Sequence, residues 1–234
     1  MKLSHKIKKL VDPLTYARAW RRVERWLAPI PLPPLMAKID QSRLRVIQER
    51  HASSPELYAK YIDVERYLKL NARRVQDLKL HRARPQEVLD IGCGGGFLLF
   101  ILEQLGHRGL GLDTDEFPLF GELTQLLGVS RKIWAVRAFE PLPDLGRKFD
   151  WITAFSPAFQ GIHTQDWRWG APEWQFFLDD LARHLKPGGR IFFGLNPCYG
   201  GDYYTPDILE LFLRRGATVK RENVLFPPKR DRKE

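Results

Sequence analysis

The hydrophobic pattern of the chain changes character at Pro85. Before it, apolar residues recur at helical spacing. Residues 14–27 put Trp20, Val23 and Leu27 on one face and Arg18, Arg21, Arg22 and Arg25 on the others. Prolines 29, 31, 33 and 34 remove donors and fix φ, so they stop any helix there. A second helix is expected from about Met36 to His51. A third opens with Ser54 as N-cap and Pro55 in its first turn, with apolar positions at Leu57, Tyr61, Leu68, Val75 and Leu78.

After Pro85, short apolar runs alternate with helical segments, as a parallel sheet with crossover helices requires. Strands are expected at 87–91, 109–113, 132–137, 149–155 and 190–195, with a last one near 218–226. Helices are expected at 96–105, 115–127, 172–186 and 206–215. The fold class is therefore α/β: a Rossmann-like, mostly parallel sheet with helices on both faces, preceded by an α-helical N-terminal extension. Three parts are expected: a basic helical extension over 1–85, the α/β domain over 86–227 and a disordered basic tail over 228–234.

Charge sharpens that division. Residues 1–85 hold 20 Lys+Arg against 8 Asp+Glu, residues 86–219 hold 12 against 17, and the tail from Lys220 holds 6 against 3. The basic character belongs to the ends, which suggests an arm that meets an anionic surface, a lid, or a helical face packed on the domain. Two cysteines, Cys93 and Cys198, are too few for a disulfide scaffold. The scattered histidines show no metal-ligand spacing, so no metal is expected. No apolar stretch of signal-peptide length follows "MKLSHKIKKL", and Phe97–Leu102 is too short to span a bilayer. A cytoplasmic protein is expected.

The chemistry is concentrated in "EVLDIGCGGGFLLF", residues 87–100. Gly92, Gly94 and Gly96 alternate after a buried strand. In a dinucleotide fingerprint a third glycine would stand where Phe97 is. Asp90 lies two residues before Gly92, and a carboxylate there suits a ligand carrying an ammonium group better than a pyrophosphate. Twenty-one residues after Gly92, Asp113 ends the second strand, where a carboxylate can accept both hydroxyls of a ribose. Asp115 suits the N-cap of the next helix.

At this point the sequence resembles the class I S-adenosylmethionine-dependent methyltransferases. "VLDIGCGGG" matches their glycine loop, "GLD" the ribose position, "FDWITAF" the fourth strand and "LKPGGRIFF" the entry to the fifth. The resemblance covers roughly residues 86–216. It implies S-adenosylmethionine as cofactor. Asp90, Gly92, Cys93, Gly94 and Gly96 would lie at its methionine portion, Asp113 and Thr114 at the ribose. Phe139 would lie at the adenine, with Phe155 at the end of the fourth strand completing the site. Where the family often has an aspartate for the adenine amine, this chain has Ala138, with Glu140 nearby. The family's fold ends with two antiparallel strands. Eighteen residues follow Gly216, so a single final strand or a shortened hairpin is expected.

Methyl transfer needs positioning, and a base where the acceptor is a hydroxyl or a protonated amine. The loop after the fourth strand, "SPAFQGIHTQDWRWG", faces the acceptor in such sheets. His163 is its only histidine and the candidate base. Gln160, Trp167, Trp169 and, after the fifth strand, Tyr199 are candidate acceptor contacts, with Asp202 and Tyr203 as secondary ones. The function these residues point to is methyl transfer to O or N of a small-molecule or glycan-like acceptor. One alternative is a nucleic-acid base N-methyltransferase. Ser156, Pro157 and Phe159 approach its loop pattern, with Ala158 in place of a second proline, and the basic arm would meet phosphates. Others are a non-catalytic cofactor- or partner-binding domain and a dinucleotide reductase. Peripheral contact of the N-terminal helix with a membrane is a further reading of the arm.

Overall fold

The computed structural model describes residues 23–53, 59–161, 167–197 and 200–228. Seven strands form one sheet: β1 Glu87–Ile91, β2 Arg108–Asp113, β3 Arg131–Ile133, β4 Phe149–Phe155, β5 Leu185–Gly194, β6 Thr218–Lys220 and β7 Asn223–Phe226. Their spatial order is β3-β2-β1-β4-β5-β7-β6. The first five are parallel, and β7 runs antiparallel between β5 and β6. The chain leaves β3 at one edge and returns at β4 on the other side of β1. Ligands of open α/β sheets bind where the strand order reverses in this way. The last two strands are the shortened hairpin, closed at Arg221 with φ 52°.

Before β1 lie α1 Leu32–Met36, α2 Gln41–His51 and α3 Val64–Asp77, with 3-10 turns at Lys60–Ile62 and Leu80–Arg82. Between the strands come α4 Phe97–Gln104, α5 Pro118–Leu127, α6 Ala171–Arg183 and α7 Pro206–Arg214. One core joins α1 to α5 against one face of the sheet; the other joins α6 and α7 to the opposite face.

All six residues Phe97–Leu102 are buried, so α4 is apolar on every side. Such a helix must be covered all round. The sheet covers one side, and Leu68, Ala72 and Val75 of α3 belong to the same cluster on the other. His107 ties the two layers: its Nδ1 accepts from the Gln86 N–H at 3.0 Å, which leaves Nε2–H to donate to the Leu80 carbonyl at 3.0 Å. The described extension, from Leu35 to Leu80, thus shares one core with the α/β domain, and Pro85 is a boundary of pattern but not of packing.

Several expected boundaries move, each for a local reason. The expected helix from Ser54 is interrupted at Asp63, whose carboxylate accepts from the Arg66 N–H at 3.0 Å and starts α3. Asp40 starts α2 in the same way, accepting from Ser42 and Arg43. The prolines do not exclude helix: Pro33 stands in the first turn of α1, where the missing N–H costs nothing. Helix α5 starts at Pro118 rather than 115, and Asp115 is no cap; it pairs with Arg131 at 3.3 Å. Strand β3 stops at Ile133 because β2, its only neighbour, ends at Asp113 in register with it. Of residues 14–27 only 23–27 are described, and they are helical. Ser54, Pro55, Leu57 and the tail from residue 229 lie outside the described residues.

Candidate active site

The candidate site lies at the carboxyl ends of β1, β2 and β4. Gly92, Gly94 and Gly96 all have left-handed backbones, φ 72°, 53° and 78°. Only glycine takes such values without strain. Gly96 is constrained twice, because a Cβ there would come within 2.5 Å of Val129. At Gly92, by contrast, nothing lies within 4 Å of that position. The loop is anchored from beneath by the N–H groups of Gly92 and Cys93, which donate to the Leu112 carbonyl at 2.7 and 3.2 Å. Cys93 is buried, and its Sγ packs where a side chain on Gly111 would otherwise be. Burial raises the pKa of its thiol well above the usual value, so its sulfur stays protonated.

Asp113 closes the loop from the next strand. Its carboxylate accepts from the Gly94 N–H at 2.5 Å and the Thr114 N–H at 2.8 Å. Burial raises its pKa, and these two N–H groups and Arg131 oppose the rise. Asp90 is buried on β1 and accepts from the Thr153 hydroxyl at 2.7 Å. Burial pushes its pKa up to about 7, with Thr153 and Arg74 pulling against it.

Arg74 is the residue that sequence reasoning missed. It reaches in from α3, and its guanidinium lies 4.3 Å from the centre of the Phe155 ring. Asn71, itself held by the Tyr67 carbonyl, accepts from Arg74 at 3.0 Å. Burial lowers the pKa of Arg74 and Asp90 opposes that shift, which places the two charges in each other's field. Nearby, Tyr61 stacks on Tyr67 at 4.6 Å, and Tyr67 on Phe97 at 5.4 Å, so the extension covers the start of α4 beside the glycine loop. A signal was present: Asn71 is itself buried with Val64, Leu68, Ala72 and Val75, and Tyr67 and Arg74 flank it. A polar row at that spacing is set beside the core, not opposite it.

The remaining candidates divide. Phe155 is half-buried between Arg74 and Phe192. Thr114 is half-buried next to Asp113. Phe139 is 53 % exposed with φ 59°, its ring 5.8 Å from Phe176 on α6. Glu140 is exposed and pairs with Arg137 at 3.4 Å. Trp167 is half exposed. Gln160 is completely buried, so its side chain shows no face to a substrate. Trp169 is a packing residue, in ring contact with Phe159, Trp174 and Phe177. Phe159 sits in that same cluster, which occupies the ring that the base-methyltransferase pattern would stack on a base. Ser156 holds a left-handed backbone, φ 54°, at the exposed end of β4. Asp202 is exposed and Tyr203 half-buried. His163 and Tyr199 lie outside the described residues.

A left-handed glycine loop between β1 and α4, with an acid before it and an acid ending β2, matches a known arrangement. The family described as "Methyltransferase domain" matches residues 89–193. Residues 89–193 are thus similar to a methyltransferase domain. The chain is 34 % identical to a ubiquinone biosynthesis O-methyltransferase of Pseudomonas fluorescens (strain SBW25) over 46 % of this chain and 43 % of that protein. It is 35 % identical to one of Rhizobium leguminosarum bv. trifolii (strain WSM2304) over 47 % and 41 %. The alignments thus span less than half the length of these relatives. Among solved structures, an amino pentose methyltransferase from Micromonospora echinaspora superposes with a TM-score of 0.40 at 21 % identity, covering 54 % of this chain and 49 % of that one.

Proposed function

We propose that this protein transfers a methyl group from S-adenosylmethionine to an oxygen or nitrogen of a small-molecule acceptor. The observation that carries this reading is the arrangement of opposite charges around the glycine loop. Asp90, buried near the end of β1, and Arg74, half-buried over the Phe155 ring, suit the ammonium and carboxylate of an amino acid. Asp113 suits a diol, because a carboxylate accepts two hydroxyls at once. The open space above Gly92 lets a ligand approach the backbone. A nicotinamide dinucleotide has no ammonium for Asp90, and its pyrophosphate would meet a carboxylate instead.

The cofactor supplies a methyl carbon already activated by its sulfonium. This chain's residues then have two tasks. The first is to fix the amino-acid end and the ribose so that the methyl faces the acceptor; Asp90, Arg74, Asp113 and the loop glycines serve it, with Cys93 and Thr114 contributing backbone. Phe139 and Phe155 are assigned to the adenine and the methionine side. The second task is to remove the acceptor's proton where it has one. His163 is our candidate for that role, and Trp167 and Tyr199 are candidates for holding the acceptor. Relatives named ubiquinone biosynthesis O-methyltransferase support an oxygen acceptor.

The test has two stages. Calorimetry should show S-adenosylmethionine binding and no binding of nicotinamide dinucleotides. Incubation with methyl-labelled cofactor and fractions of cell extract should then label a nuclease-resistant small-molecule fraction. Label that disappears on nuclease treatment would move the substrate to nucleic acid. His163→Ala should lower the rate about 10²- to 10⁴-fold and remove the acid limb of the pH profile, with cofactor affinity kept.

A further inference from the structure

The side of the extension that does not pack on the domain combines large apolar side chains with a row of cations. Trp26 is 78 % exposed, Leu27 61 % and Val23 43 %, all within the helical residues 23–27. An open groove of about 470 Å³ joins Trp26 to Lys69 and Arg73 on α3. Arg66, Lys69 and Arg73 fall at i, i+3 and i+7, so they line one side of that helix, and all three are exposed. Among the described residues none of the three sits in an ion pair. Two nearby carboxylates are engaged elsewhere: Asp77 pairs with Arg25 at 3.5 Å and Glu24 with Lys79 at 3.8 Å. Asp63, at the N-cap of α3, and Glu65 are the exposed acids at its start, and Arg66, Lys69 and Arg73 outnumber them. The chain leading into this face, residues 1–22, adds seven Lys+Arg against one acid.

Scattered apolar residues on a surface need no explanation, but a cluster rimmed by uncompensated cations does. We propose that this face docks on an anionic lipid bilayer. Trp26, Leu27 and Val23 enter the interfacial zone, and Arg66, Lys69 and Arg73 meet headgroup phosphates. Nucleic acid would satisfy the cations alone and leave the apolar side chains in water, so the combination favours lipid. The consequence for the site is direct. Helix α3 carries the docking cations on its outer side and Arg74 on its inner side, so the helix that covers the glycine loop is the one the membrane holds.

The experiment uses the full chain, freed of nucleic acid, in co-sedimentation with vesicles. One set contains phosphatidylglycerol and phosphatidylcholine, the other phosphatidylcholine alone. The protein should bind the first set and not the second, with binding lost as salt rises. A juxtamembrane cation contributes about fivefold in affinity, so Lys69→Glu with Arg73→Glu should weaken binding at least ~10-fold. Trp26→Ser with Leu27→Ser should weaken it similarly. Both variants should keep the parent's thermal transition and its affinity for S-adenosylmethionine, which separates lost docking from lost fold. Trp26→Ser alone replaces the double variant if that one does not fold. Three results would overturn the proposal: no binding to phosphatidylglycerol vesicles, binding that survives both variants, or binding abolished by a short DNA duplex that the protein prefers. None of these results bears on methyl transfer itself.

Discussion

The Asp113 carboxylate holds the Gly94 N–H at 2.5 Å, so one side chain ties the end of β2 to the middle of the glycine loop. In the proposed function the same carboxylate also meets the ribose hydroxyls. Asp113→Ala should therefore weaken S-adenosylmethionine binding about tenfold to a hundredfold, the worth of a charge-assisted hydrogen bond of roughly 1.5–3 kcal/mol. Asp113→Asn keeps one acceptor oxygen and should fall between. Calorimetry on both variants checks this, and an unchanged affinity in the alanine variant would remove the ribose role.

Asp90 makes the site sensitive to pH. Burial lifts its pKa to about 7, so protonated and ionised forms exchange near neutrality in the unliganded protein. An ammonium ligand selects the ionised form, so affinity should rise with pH up to about 7 and level off above, with proton release on binding below. Calorimetry in buffers of different ionisation heat measures that proton. Stability runs the other way. The folded state keeps a proton that the unfolded chain has lost between about pH 4 and 7, so this group's contribution falls as pH rises through that window. The pH slope of thermal stability should be shallower in Asp90→Asn than in the parent, and the variant should bind cofactor more weakly.

Arg74 should act on one end of the cofactor only. Arg74→Ala should weaken S-adenosylmethionine about tenfold to a hundredfold, and Arg74→Lys should recover only part of that, because an ammonium lacks the planar fork. Methylthioadenosine, which has no amino-acid end, should bind all three proteins equally. A matching loss for both ligands would make Arg74 a packing residue over Phe155.

The extension should behave as core. Leu68 of α3 is fully buried in the cluster that includes Leu99 and Ile101 of α4. Leu68→Ala should cost about 2–5 kcal/mol in urea unfolding, as buried leucines do elsewhere. Leu27→Ala, at an exposed position, should stay within about 0.5 kcal/mol of the parent. Unfolding of Leu68→Ala at the parent's midpoint would show that the domain does not need its N-terminal cover.

What the sequence determined by itself was local. The switch of pattern at Pro85, the succession of strands along the chain, the alternating glycines and the acid at the end of β2 are each carried by consecutive residues. Backbone rules act over that range: a buried run reads as a strand, and a glycine can turn left-handed. The run Phe97–Leu102 is apolar at every position, and in the structure all six residues are buried. What covers it was decided by tertiary structure alone. Only packing brought Leu68 and Val75 onto α4, set Arg74 over Phe155, and turned Phe159 and Trp169 into an aromatic core rather than a pocket wall. Only the end of β2 stopped β3 at Ile133. These outcomes depend on partners tens of residues away, and periodicity along one segment carries no information about which distant surface will bury it.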